Sequence, residues 1–158
     1  RLGQPAQPDL IARRLVTVGF GLYASKRYLR GAPPVNRLED LHAHKVVALQ
    51  AVGNNMNSLL LLPSGDALPG NVVYVSNSST AQLGAVRAGF GIGMLSHRWA
   101  HIAGGLTRVL PDYTAAAIDL WLVTHEELRH SARIRAVYDC IAERVLADAQ
   151  LFERGTRD

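Results

Sequence analysis

The stretch "VSNSSTAQLGAVRAGFGIGMLS", Val75 to Ser96, constrains the fold more than any other part of the chain. A β-branched run ends in a polar cluster. A helical segment follows, then three glycines at alternate positions, Gly89, Gly91 and Gly93, set in a second apolar run. Glycines spaced this way invite comparison with a phosphate-cradling loop. Such a loop needs a strand, then glycines, then a helix whose N-terminus faces the phosphates. Here the helix precedes Gly89, the strand follows it, and the last glycine of G-x-G-x-x-G is missing. The order gives the glycines other work. Gly89 stands where a helix ends on a left-handed residue, with Phe90 placed for the accompanying apolar contact. Gly91 and Gly93 fall in or beside a strand, where glycine permits close backbone approach. No nucleotide cofactor is expected.

Short strands and short helices alternate along the rest of the chain, which argues an α/β fold. Strands are expected at 16–25, 45–50, 90–96, 106–110 and 117–125. A hairpin is expected from Leu59–Leu62, a turn rich in Gly, Pro and Asp, and Val72–Val75. Ser25 starts a helical turn that Gly31 and two prolines stop. "RLEDLHAH" reads as a second turn, and "HRWAHIAGG" as a short helix ended by glycines. In "STAQLGAVR", Leu83 and Val86, with Ala81 and Ala85, share one helical face. The clearest helix lies near the C-terminus. There Ile134, Val137, Tyr138, Ile141, Val145 and Leu146 recur at steps of three and four, with Ser131 as its cap.

The chain has 158 residues, of which 48% are hydrophobic and 19% charged, so it should bury a core as one domain or two small lobes. No apolar run approaches the ~20 residues of a membrane span. The N-terminus lacks the apolar region of a signal peptide and an initiator methionine, so the chain is read as a piece of something longer. The net charge of +4 comes from fifteen arginines and two lysines against thirteen acids. The arginines are scattered, so they are read as solvated faces and ion-pair partners rather than a nucleic-acid surface. The single cysteine, Cys140, excludes an internal disulfide and suits a reducing compartment. It lies on an apolar helical face and is expected to be buried and inert.

Catalytic and metal sites find little support. His97 and His101 stand four apart, and His42 and His44 two apart. Neither pair has a third ligand suggested by sequence, so both are read as surface or loop-packing residues and no metal is expected. No nucleophile motif and no suggestive carboxylate pair occurs, so the chain is not expected to be an enzyme. The polar cluster Ser76, Asn77, Ser78 and Ser79, with Thr80, opens a helix. Its N–H groups and the positive end of the helix dipole suit a carboxylate or another anion. Plain N-capping accounts for the same residues, and both readings stand at this point.

In order, these segments resemble the effector-binding region of LysR-type transcriptional regulators. "RLGQPAQPDLIARRL" is similar to the family's approach to the crossover between its lobes. "GLYASKRYLRGAPPVNRLEDLHAHKVV" is similar to its "AS-x-x-YL … P … DL … H" stretch, with Ala24, Ser25, Tyr28, Leu29, Pro34, Asp40, Leu41 and His44 in matching places. "VSNSSTAQLGAVRAGFGIGMLS" resembles its strand–helix–"AGLGIA-LP" run. "GGLTRVLPDY" and "DLWLVTHEELRHSARIRAVYDCIAERV" match later pieces, so the resemblance covers about residues 1–145. Two positions depart: Lys26 and Ser96 stand where the family often has proline.

The resemblance implies an α/β, periplasmic-binding-protein-like fold with two lobes. Residues 1–15 would end lobe one and cross over, 16–106 would form a complete lobe two, 107–150 would return with the last strand and helix of lobe one, and 151–158 would be a tail. Lobe one would be partly absent. The strand Ile118–Val123 and the helix Ser131–Ala149 would then expose apolar faces and promote self-association. A small-molecule effector, with an anion suited to the site, would bind in the inter-lobe cleft and control the arrangement of the DNA-bound oligomer. Ser76, Asn77, Ser78 and Ser79 would contact it, with Thr124 and His125 at the end of the returning strand and Arg1 as a strand-end arginine. DNA would be bound only by a helix-turn-helix domain outside this chain. The regulator would be cytoplasmic, with no membrane contact and no cofactor. The alternative is a solute-binding protein of a transport system with the same lobe architecture.

Overall fold

The structure, a computed structural model, describes residues 1–7, 9–49, 71–128 and 130–155. The chain forms two compact units. Unit 1 comprises Arg1–Gly19 and Ala117–Asp158, and unit 2 comprises Phe20–Ala116. Strand β1 (Leu10–Ser25) contributes residues to both.

Unit 2 is built on the alternation of β1. Leu22 and Ala24 face one side of the sheet and Tyr23 the other, and all three are buried. β1 pairs antiparallel with β4 (Ile92–Ser96), Tyr23 opposite Gly93, and with β5 (Leu106–Val109), Leu22 opposite Val109. β2 (Lys45–Leu49) runs parallel to both β4 and β3 (Asn71–Ser76). The order is β3-β2-β4-β1-β5. One face is covered by α1 (Lys26–Arg30) and a 3₁₀ turn (Leu38–Ala43), which close over Leu22, Ala24, Ala48, Ile92 and Val109. The other is covered by α2 (Ser79–Arg87) and α3 (His97–Ala103), whose Ala85, Val86 and Ala100 pack on Tyr23, Val47 and Leu95.

The glycines behave as their order requires. Gly89 adopts φ +86° just past α2. Its N–H donates to the Val86 carbonyl and that of Phe90 to the Ala85 carbonyl, each at 3.1 Å, which closes a Schellman motif. The Phe90 ring then meets Tyr74 of β3 edge-on, with centroids 6.2 Å apart. A side chain at Gly91 would strike the Lys45 backbone, and a Cβ at Gly93 would stand 2.6 Å from Val86 Cγ2.

Several expectations are corrected. β1 begins at Leu10, six residues before the strand read at Val16, because β6 (Ala116–His125) pairs with it and Leu15 and Val16 pack with Leu120 and Leu122; Arg14 adds an exposed ion pair with Asp119 at 2.8 Å. The inner face of α2 carries Gln82 together with Ala85 and Val86, while Ala81 is only half-buried. Of the expected hairpin, Leu59–Leu62 lies outside the described residues, and Val72–Val75 forms β3, parallel to β2.

In unit 1, β6 (Ala116–His125) pairs with β1. Leu120 and Leu122 pack with Leu15, Val16 and the fully buried Ala142 of α4 (Ala132–Ala147); Phe152 of α5 (Ala149–Glu153) joins them. The helix is amphipathic, but only one side of its apolar face is covered. Ile134, Val137, Ile141 and Leu146 are exposed, Val137 by 58%. Cys140 is exposed, against the expectation of burial, because it lies two residues and about 200° around the helix from Ala142. Ser131 occupies the N-cap position without a side-chain hydrogen bond.

Candidate functional site

β3 ends at Ser76 and α2 starts at Ser79, so the residues between them must satisfy the first N–H groups of the helix. Ser78 is the N-cap. Its Oγ accepts from the Ala81 N–H at 3.3 Å, and its carbonyl accepts from Gln82 N–H at 2.9 Å. Ser76 Oγ accepts from the Ser78 N–H at 3.1 Å. Among the described residues, the N–H groups of Ser79 and Thr80 take no partner. Asn77, Ser78, Ser79 and Thr80 are exposed. Capping thus uses acceptor capacity of Ser76 and Ser78 and leaves their hydroxyl protons, the Asn77 amide and two N–H groups facing the same turn. That set can donate to an anion.

Gln82, which sequence reasoning missed, fixes this turn from below. It is 1% exposed and donates from Nε2 to the Val47 carbonyl at 3.2 Å. Val47 lies where the β2–β3 register shifts by one residue, so its backbone is available to a side chain. A polar residue at the i+4 position from the cap was the available signal.

Arg1, Thr124 and His125 belong to unit 1. The Arg1 backbone exchanges hydrogen bonds with Trp121, at 2.7 and 2.8 Å, and its guanidinium meets Gln7 at 3.3 Å. Thr124 is half-buried. His125 is exposed, with Nδ1 3.3 Å from an Asp9 carboxylate oxygen.

The histidine pairs do not converge. His42 and His101 are exposed, whereas His44 and His97 are fully buried, contrary to a surface or loop-packing reading. Each buried ring has a tyrosine partner. His97 Nδ1 lies 2.8 Å from the Tyr23 hydroxyl, and His44 Nδ1 lies 3.1 Å from that of Tyr28. Burial, and then the charge of Arg108, pushes His97 down from 6.5 to about 4, so it is neutral at physiological pH. The Tyr28 hydroxyl also accepts from the Lys45 N–H at 2.9 Å, and Ser25 Oγ caps α1. Ser25, Tyr28, Leu41 and His44 therefore lock α1 and the 3₁₀ turn onto β2.

Compared with known proteins, residues 1–146 match the LysR substrate binding domain. The chain belongs to this family. It is 26% identical over 154 residues to the "Probable HTH-type transcriptional regulator LtrA" of Klebsiella pneumoniae, covering 93% of this chain and 50% of that protein. The chain thus spans half the length of that curated relative. Its fold is similar to the regulatory domain of CrgA, a LysR-type regulator from Neisseria meningitidis (TM-score 0.74, 23% identity, 90% of this chain and 72% of that one). It is also similar to the effector domain of AmpR from Pseudomonas aeruginosa (TM-score 0.69, 16% identity, 95% and 72%). These likenesses place the chain in the α/β, periplasmic-binding-protein-like fold class. The two departures from the LysR pattern are mild where they fall. Lys26 is the first residue of α1, a position that proline favours but does not own, and Ser96 caps α3 by accepting from the Trp99 N–H at 3.4 Å.

Proposed function

We propose that this chain is the effector-sensing part of a longer, cytoplasmic transcriptional regulator, and that its effector contacts the β3–α2 turn. The LysR family match over residues 1–146 carries the reading. Asn77, Ser79 and the hydroxyl protons of Ser76 and Ser78 would donate to a small anionic effector, with Thr124, His125 and Arg1 as the contacts supplied by unit 1. Binding would shift the population between two arrangements of the regulator's subunits, and DNA would be read by a helix-turn-helix domain outside residues 1–158. The subunits would associate in part through lobe surfaces. The alternative of a transport solute-binding protein has no support in the relatives and structures named above, all of them regulators or their regulatory domains. No described helix is long and apolar enough to cross a membrane.

The test is a thermal-shift screen of small organic acids on the full-length regulator. A ligand at a hundred times its Kd stabilises the native state by about 2.7 kcal/mol. The Ser78→Ala, Ser79→Ala double variant should keep the fold and lose both that shift and the transcriptional response. An unchanged response would remove the effector from this turn.

A further inference from the structure

The chain's excess of positive charge belongs to unit 2. Unit 1 carries nine Arg and Lys against nine Asp and Glu, whereas unit 2 carries eight against four. Along the sequence the cations of unit 2 are scattered, but the fold gathers five of them at one end of the sheet. β1 ends at Ser25, and α1 follows with Lys26, Arg27 and Arg30. The Tyr28 hydroxyl, accepting from the Lys45 N–H at 2.9 Å, ties α1 to the start of β2. A Cβ on Gly89 would stand 4.0 Å from Arg27 Cδ, and one on Gly91 would stand 3.0 Å from Lys45 Cβ. Arg27 and Lys45 therefore flank the turn that leaves α2, whose last residue is Arg87. All five residues are exposed, and among the described residues none of them pairs with an acid. Glu39 and Asp40 are committed to Arg37, at 4.0 and 3.3 Å.

Like charges at i,i+3 and i,i+4 of one helix repel. α1 holds two such pairs, Arg27–Arg30 and Lys26–Arg30, so an anion lying across it relieves a repulsion built into the free chain. Lys26 is also one of the two departures from the LysR pattern, so this sequence adds a cation where the family often has proline. We propose that this end of unit 2 holds the phosphate backbone of duplex DNA without reading its sequence, in addition to the helix-turn-helix domain that reads it. Exposed Arg and Lys side chains are the groups that neutralise phosphates. The choice of partner rests on the regulator reading: a chain tethered to a DNA-binding domain meets phosphates at high effective concentration, an advantage that an acidic protein lacks. β3 runs from Asn71, beside Lys45, to Ser76, so the β3–α2 turn lies at the other end of the sheet, about 20 Å away by the rise of a strand of that length. An effector on that turn leaves the basic end free.

The experiment is fluorescence anisotropy of a labelled random-sequence duplex of about 20 base pairs, titrated with the 158-residue chain at salt concentrations from about 50 to 200 mM. Four or five phosphate contacts predict a slope of log K against log salt of about −4. The triple variant Arg27→Gln, Lys45→Gln, Arg87→Gln should flatten that slope by about 2.7. Arg13→Gln, Arg133→Gln, Arg144→Gln removes the same charge from exposed residues of unit 1 and should leave the slope unchanged. Arg87→Gln alone, expected to flatten it by about 0.9, serves if the triple variant fails to fold by circular dichroism. Absence of binding at the lowest salt, equal slopes in the two triple variants, or tighter binding of poly-glutamate than of DNA would overturn the proposal. In the full-length regulator the first triple variant should lose the same slope and still find its operator. A regulator that binds no DNA at all would instead overturn the functional reading.

Discussion

Unit 2 buries both faces of its central strands, although β3, Trp99 and Ile102 stay exposed, whereas unit 1 buries one side of a helix against two strands and leaves the neighbouring apolar stripe open. In unit 2, Leu22, Val47, Val86 and Ile92 are at most 1% exposed. In unit 1 the same kinds of residue, Ile134, Val137 and Ile141, stand on the surface of α4. The contrast shows that an amphipathic pattern specifies a face to be covered but not what covers it. Unit 2 covers its central strands on each side; the described part of unit 1 leaves the outer stripe of α4 open.

Substitutions can break or sharpen this contrast. The largest effect is expected from Ile92→Ala or Leu22→Ala, which should cost about 2–5 kcal/mol in denaturant unfolding, as buried truncations do. Ile141→Ala in unit 1, with little burial to lose, should cost within about 0.5 kcal/mol. Equal losses would erase the distinction between the units.

His97→Phe comes next. It strands the Tyr23 hydroxyl in the core and should cost about 1–3 kcal/mol. It should also alter the acid response. A histidine whose folded pKa is depressed contributes stability that is complete above its unfolded value of 6.5 and is lost as pH falls toward about 4. The buried His44 is displaced in the same direction, by burial. Wild-type stability should therefore decline between pH 6.5 and 4, and the variant should show a shallower slope, measurable by urea titrations across that range. A slope unchanged by the substitution would mean that His97 is not buried as a neutral ring.

Gly89→Ala should cost about 1–2 kcal/mol, because alanine must take the left-handed conformation there. The smallest effect on stability, within about 0.5 kcal/mol, is expected from the double variant Val137→Glu, Ile141→Lys. It changes only the exposed stripe of α4, and its consequence should appear in association rather than in unfolding.

The features legible in the sequence are those set by neighbours along the chain. Ser25, Ser78 and Ser96 cap because each precedes a helix, and Gly89 ends α2 because its i−3 and i−4 neighbours supply the carbonyls. The features missed depend on partners far away. His97 is buried because Tyr23, 74 residues earlier, takes its ring nitrogen. β1 extends back to Leu10 because β6, from much later in the chain, pairs with it. Cys140 is exposed because only the Tyr138–Ala142–Val145 side of the helix meets strands. At the candidate effector turn, the sequence showed the polar cluster but not Gln82 beneath it, whose Val47 partner comes from a different strand.

The most direct test of the contrast between the units is light scattering coupled to size-exclusion chromatography on the 158-residue chain over a range of concentrations. An uncovered apolar stripe on α4 predicts a weight-average mass that rises with concentration, and a constant monomer mass for Val137→Glu, Ile141→Lys. A wild-type chain that stays monomeric and stable at every concentration would contradict it.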